Sequence, residues 1–304
     1  MKMIQKSLPH IFVVVLAVLA NLPETAAQHR TGTVKPGPVV FAVLNDGKTI
    51  ESIGYIDKGA IEKAVDGASE APIISRFHRS YFKPGTVYKL VFGGADAGTV
   101  TVKSSNPKAE CMASSAEVVS RSTSAKLSGR RMALATNIAP RKAGTGMRRM
   151  PTAAERTEIG ELVKAEFERQ KAGGKKVDYH NLTAIDIDND KKPEFVGTYW
   201  TNIDAETRAL LFFIADKGSD GKYKFGITDY RVVKQSEVMN GEISAVDKGM
   251  YHELLLDELD IDGDGKDEVF TYIQSFEGAG FNAYSLIDGK WERVFEGANY
   301  HCGY

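Results

Sequence analysis

The chain has 304 residues, 42% of them hydrophobic, and 39 Lys plus Arg against 40 Asp plus Glu, a formal net charge of −1. Near-neutrality leaves no chain-wide basic field for a nucleic acid, so no nucleic-acid partner is expected. The balance hides an asymmetry: residues 28–152 carry 19 basic against 9 acidic side chains, and residues 153–304 carry 18 against 30. The sign change sets a boundary near residue 150, and opposite charges on tethered halves favour docking at low salt.

The first 27 residues have the layout of an export signal. Lys2 and Lys6 form the charged end, Ile11 to Ala20 the apolar run, and Thr25-Ala26-Ala27 a small-residue cleavage site ahead of Gln28. The apolar run is short for a membrane span, and no later segment is apolar enough to cross a bilayer. No Cys closely follows it, which argues against a lipid anchor. A secreted or periplasmic destination is expected, where calcium is abundant and thiols are oxidised.

Residues 28–137 read as a β-rich basic domain, large enough for its own core. Val39 to Leu44 is an apolar run closed by the turn Asn45-Asp46-Gly47, with Ile50, Ile53 and Tyr55 beyond it. Val87 to Phe92 and Thr99 to Val102 flank Gly93 to Gly98, which reads as a hairpin with a long loop. Residues 138–151 are basic, punctuated by Gly and Pro and without periodicity; they read as a solvated linker, or else as a contact for anionic surfaces. A helix follows. Thr152 is its N-cap, Ile159, Leu162, Val163 and Phe167 form one apolar stripe, and Gly173-Gly174 ends it.

The most specific pattern lies at residues 260–268. Asp260, Asp262 and Asp264 alternate, Gly265 can take the positive φ of a tight turn, and Glu268 returns at the ninth position. With the backbone carbonyl of Lys266 and water, these oxygens form a cage for a hard cation, Ca2+ being the expected ion. The loop is not an EF-hand, because the twelfth residue is Thr271 where that motif needs a bidentate Glu. A second copy lies 74 residues earlier, with Asp186, Asp188, Asp190 and Glu194 as ligands. It is degraded: Lys191 replaces the glycine, and Lys192 adds a second positive charge.

Each loop runs into an apolar strand, Phe195 to Trp200 and Val269 to Ile273, and further strands with matching turns follow both. An Asp-x-Asp-x-Asp loop leading into a strand resembles the FG-GAP and VCBS repeats of integrin-like β-propellers. The resemblance covers about half the chain and implies blade-like repeats headed by calcium loops. Two blades cannot close a propeller. Either the two units pack face to face as a compact domain beneath the helix, which is the favoured arrangement, or copies from another chain complete a larger assembly. The expected fold is therefore mainly β (α+β): a β-rich N-terminal domain, a linker, then over residues 152–304 a helix and two repeats.

Cys111 and Cys302 are the only cysteines, and a bridge between them is expected in an exported protein. Beyond the export signal, the histidines His29, His78, His180, His252 and His301 stand far apart and read as surface or satisfied side chains. No nucleophile elbow, phosphate loop or zinc-protease helix is present. The function expected is an exported, non-enzymatic calcium-binding β protein with a structural role or a protein or glycan partner. Two alternatives stay open: a polysaccharide-acting hydrolase using Tyr199, Trp200 or Trp291 as a sugar platform, and a polyanion binder acting through the basic half.

Overall fold

The computed structural model describes residues 37–123, 126–173 and 176–302. The export segment, with Lys2, Lys6 and residues 11–28, lies outside them, as do His29 and Gly174. Strand accounts for 48% of the structure and helix for 15%, so the chain is β-rich. The elements in order are β1 (Val39–Leu44), β2 (Thr49–Asp57), β3 (Ala60–Lys63), α1 (Ala71–Tyr81), β4 (Val87–Phe92), β5 (Ala95–Ser104), β6 (Ser115–Ser122), β7 (Ala133–Thr136) and β8 (Arg148–Arg149). There follow α2 (Ala153–Arg169), β9 (Val177–Ile185), β10 (Glu194–Asn202), β11 (Thr207–Lys217), β12 (Tyr223–Lys234), α3 (Ser244–Asp247), β13 (Glu253–Leu259), β14 (Glu268–Gln274), β15 (Gly278–Ile287) and β16 (Lys290–Tyr300).

The first seven strands make an antiparallel sheet in the order β1-β7-β4-β5-β6-β2-β3, and a β1–β2 pairing closes six of them into a barrel. Strand alternation explains why β1 is apolar throughout. Val39, Phe41 and Val43 point into the barrel, where they meet Phe77 and Tyr81 of α1 and the adjoining Phe82. Val40, Ala42 and Leu44 face outward onto a second core built with Leu254, Leu256, Phe270 and Phe281 of the C-terminal sheet. All six residues are buried as a result.

That second core adds an apolar contact to the docking of the oppositely charged halves, which ion pairs such as Arg148–Asp257 also join. The barrel and the sheet β13-β14-β15-β16 share apolar side chains, so separating them would expose a continuous hydrophobic face. The other face of this sheet packs on the sheet β12-β11-β10-β9-β8 through Leu255, Val269 and Tyr284 against Ile185, Val196 and Phe212. The outer face of that five-stranded sheet is covered by α2, whose Ile159, Val163 and Phe167 meet Leu182, Phe195 and Leu211. The layers therefore run barrel, four-stranded sheet, five-stranded sheet, helix.

Thr152 caps α2 with a full capping box, exchanging hydrogen bonds with Glu155. The helix stops at Arg169, short of Gly173, because Lys171 takes the left-handed turn at φ 58°. Three further features depart from the sequence reading. Helix α1 has no counterpart in it. The β4–β5 connection is a two-residue turn, Gly93-Gly94, with Phe92 paired to Ala95, rather than a long loop. Residues 138–151 are only in part a solvated linker: residues 142–145 are exposed, but β8 pairs with β9 and the Arg148 side chain is 6% exposed.

Cys111 and Cys302 form a disulfide with Cα atoms 5.3 Å apart across a sequence separation of 191. Closing so long a loop restricts the unfolded chain and contributes on the order of 3 to 5 kcal/mol. Next to it, the buried Glu51 of β2 accepts hydrogen bonds from Asn299 at 2.9 Å and His301 at 2.6 Å. The barrel is thus tied to the end of β16 by covalent and polar contacts as well as apolar ones.

Candidate metal centre

Each acidic loop connects the first and second strands of a four-stranded antiparallel meander. Residues 186–193 join β9 to β10, and residues 260–267 join β13 to β14. Each meander therefore has a leading strand before its loop, which the sequence reading left out.

The two loops share one hydrogen-bond framework. Asp186 Oδ2 accepts from the Lys191 N–H at 3.2 Å, and Asp260 Oδ2 from the Gly265 N–H at 3.0 Å. Asp188 and Asp262 each accept from the backbone two residues on, at 3.1 and 3.0 Å. Asp190 and Asp264 do the same at 2.7 and 2.8 Å, the donor to Asp264 being Lys266. Glu194 Oε2 reaches back to the Ile187 N–H at 2.9 Å, as Glu268 Oε2 does to Ile261 at 3.1 Å. Two positions per loop are left-handed: Gly263 at φ 82° and Gly265 at φ 91° in one, Asn189 at φ 60° and Lys191 at φ 66° in the other. The sequence reading marked only the second of each pair.

The carboxylates that converge differ between the copies. Asp260, Asp262 and Asp264 bring one oxygen each to within 4.8 Å of one another, and Asp186, Asp188 and Glu194 do likewise. Asp190 is drawn aside by Lys192, whose Nζ lies 2.7 Å from its carboxylate. Glu268 stays out of its triad, accepting from Ser285 at 3.0 Å. Burial pushes Glu194 up to about 8 and Glu268 up to about 7. Asp186 is also raised by burial. It is 5% exposed and its Oδ1 has no hydrogen-bond partner, a costly state for a buried carboxylate oxygen. Either oxygen triad could hold a metal ion, and donor sets of oxygen alone suit hard cations.

Behind the loops sits a buried acid cluster. Asp257, Glu258 and Asp267 are all at most 1% exposed. The spacing bulge between Leu255 and Asp257 lets β13 turn two consecutive acids inward. Arg148 bonds Asp257 at 2.8 Å, and the Gly93 N–H donates to the same carboxylate at 2.8 Å. Arg141 joins everything: its guanidinium bonds the Asp267 and Asn189 side chains, the Asp186 carbonyl at 3.2 Å and Glu258 at 3.3 Å. A Cβ on Gly94 would stand 2.2 Å from both the Arg141 guanidinium and the Asp267 carboxylate, so only glycine fits at this barrel tip. Burial and neighbouring acids raise Glu258 well above the usual carboxylate range and Asp267 to about 8, so the pair keeps a proton near neutrality. The loops also touch directly, through Asn189 Nδ2 to the Gly265 carbonyl at 3.3 Å and the Asp267 N–H to the Ile187 carbonyl at 2.8 Å.

Sequence reasoning missed this cluster and its arginines. The available signal was Asp257-Glu258 interrupting an otherwise apolar strand, Leu254 to Leu259. Of the three rings of the expected sugar platform, Tyr199 and Trp291 are buried, at 5% and 6% exposed, with the Trp291 indole donating to Asp216 at 2.9 Å, while Trp200 is half-buried. The two buried rings belong to the inter-sheet and helix-facing cores. Among the histidines, His78 is satisfied by Ser105 and Ala113, whereas His180 and His252, 72 positions apart, meet with ring centroids 4.3 Å apart.

Comparison of the chain with protein-family models, curated proteins and solved structures finds no match.

Proposed function

We propose that the protein is an exported, non-enzymatic calcium-binding β protein in which two FG-GAP/VCBS-like repeats present cation loops at one junction. The observation that carries this reading is Asp186. A buried carboxylate oxygen with no hydrogen-bond partner among the described residues, facing two other carboxylates, would gain from a bound cation beyond what the nearby Arg141 charge supplies. The shared framework of the two loops supports it, since each turn holds its carboxylates in place by backbone N–H groups and leaves free lone pairs for an ion. Asp260, Asp262 and Asp264 would hold one calcium, Asp186, Asp188 and Glu194 a second, each completed by water. Bound calcium would neutralise the acids and stiffen the connection between strands. The Cys111–Cys302 disulfide supports residence in an oxidising compartment.

Thermal melting in calcium and in chelator tests the reading. Calcium should raise the melting temperature, magnesium less so because it demands near-ideal octahedral geometry and gives up its waters reluctantly. Identical melting in calcium and chelator would overturn it.

A further inference from the structure

Two imidazoles from different sheets meet at the place where the barrel and both sheets come together. His180 lies on β9 and His252 immediately precedes β13; their rings contact edge to face at 88°. Trp200 of β10 stacks on His180 at 6.1 Å and 19°. His252 is 1% exposed, yet among the described residues its two ring nitrogens, His180 Nε2 and Trp200 Nε1 have no hydrogen-bond partner in good geometry, the Val246 backbone being the acceptor that faces both imidazoles. Arg130, from the barrel segment leading into β7, bonds His180 Nδ1 and the Lys248 carbonyl.

The surrounding charges oppose protonation. Arg130 faces both rings, and Arg231 of β12 faces His252. Asp178 of β9 and Asp247 of α3 are the acids facing His180, and Asp247 is already paired with Arg208 at 2.6 Å. Neither acid bonds an imidazole.

We propose that His180 and His252 form an acid-sensitive latch: neutral, they close the junction of barrel segment 128–131 with the two sheets, and protonated, they release it. A proton on His252 is a buried charge offset only by the Val246 backbone, a proton on His180 Nδ1 displaces its bond from Arg130, and a proton on both places like charges in contact. Burial and then Arg130 hold His180 down at about 4, and burial and then His180 hold His252 down at about 3. An unfolded histidine titrates near 6.5. Because both folded values lie below it, the opened or unfolded chain binds more protons as pH falls from 6.5 towards 4. Stability from the pair is therefore complete above pH 6.5 and lost on acidification. In that window each imidazole raises the opening constant about tenfold per pH unit, and the two together about a hundredfold.

The test compares the wild type with His252→Phe, which keeps a ring and removes both ring nitrogens. Both are unfolded with urea between pH 7 and pH 5 at fixed calcium, so that titration of the acidic loops is common to both. The variant should be as stable as the wild type at pH 7 and lose about tenfold less in its unfolding constant per pH unit below 6. Equal pH slopes would overturn the proposal. The histidine C2 proton resonances of the wild type give a second measurement that needs no variant. Two resonances that stay flat to pH 5 while the protein remains folded support the latch, and titration of all described histidines near pH 6.5 sinks it.

Discussion

The 260–268 loop and the 186–194 loop share four carboxylate-to-backbone hydrogen bonds, yet different residues supply them. One meets its two left-handed positions with Gly263 and Gly265, and the other forces Asn189 and Lys191 into them. One spreads a half-buried and two exposed carboxylates towards solvent; the other loses Asp190 to Lys192 and groups the half-buried Glu194 with the buried Asp186 instead. The comparison shows that a turn can outlast its consensus, because the framework depends on carboxylate-to-backbone bonds rather than on glycine. What changes is the charge and dryness of the cage, and with them its affinity.

The strongest way to break the comparison is to remove what the two loops share. Arg141→Met would leave Glu258 and Asp267 buried without their nearest cation and cut contacts to both loops. A loss of about 3–5 kcal/mol in urea unfolding is expected; a loss below about 1 kcal/mol would show that the loops are held independently. A bound ligand at a hundredfold excess over its dissociation constant adds about 2.7 kcal/mol. Asp262→Ala should abolish most of the calcium-dependent melting shift and Asp188→Ala little of it, and the reverse order would place the tighter site at residues 186–194.

Acidity sharpens the difference further. In an Asp262→Ala background the remaining site needs Glu194 ionised, and burial holds that group at about 8. Calcium affinity measured by calorimetry should therefore rise about tenfold between pH 6.5 and 7.5 and flatten above 8. Without metal the sign reverses: a raised carboxyl stabilises the fold below pH 4.5 and that contribution is lost as pH passes 8. Chelator should accordingly destabilise the protein more at pH 8.5 than at pH 6. The smallest effect is Lys191→Gly, which relieves a left-handed lysine and should gain about 1 kcal/mol while strengthening calcium binding.

Local pattern was readable where local physics decides the outcome. The capping box at Thr152, the edges of β1 and β4, the cysteine pair and both acidic loops follow from residues close in sequence. Helix α1 was not, because its sparse apolar positions Ile73, Phe77 and Tyr81 serve a barrel interior that only the closed sheet defines. Arg141 and Arg148 looked like linker charges, since the acids that bury them lie more than 100 residues away. Likewise His180 and His252 become a pair only when two sheets stack.

The two-sided burial of β1 has a consequence for how the molecule is made. Val39, Phe41 and Val43 can close around α1 early, but the outward-facing Val40, Ala42, Leu44, Ile53 and Leu134 wait for partners, Leu254 to Phe295, that are synthesised more than 100 residues later. Until then the nascent barrel carries an uncovered greasy wall and the thiol of Cys111 waits for Cys302. A product truncated near residue 250 would thus be a sticky intermediate for chaperones and proteases rather than a free-standing domain.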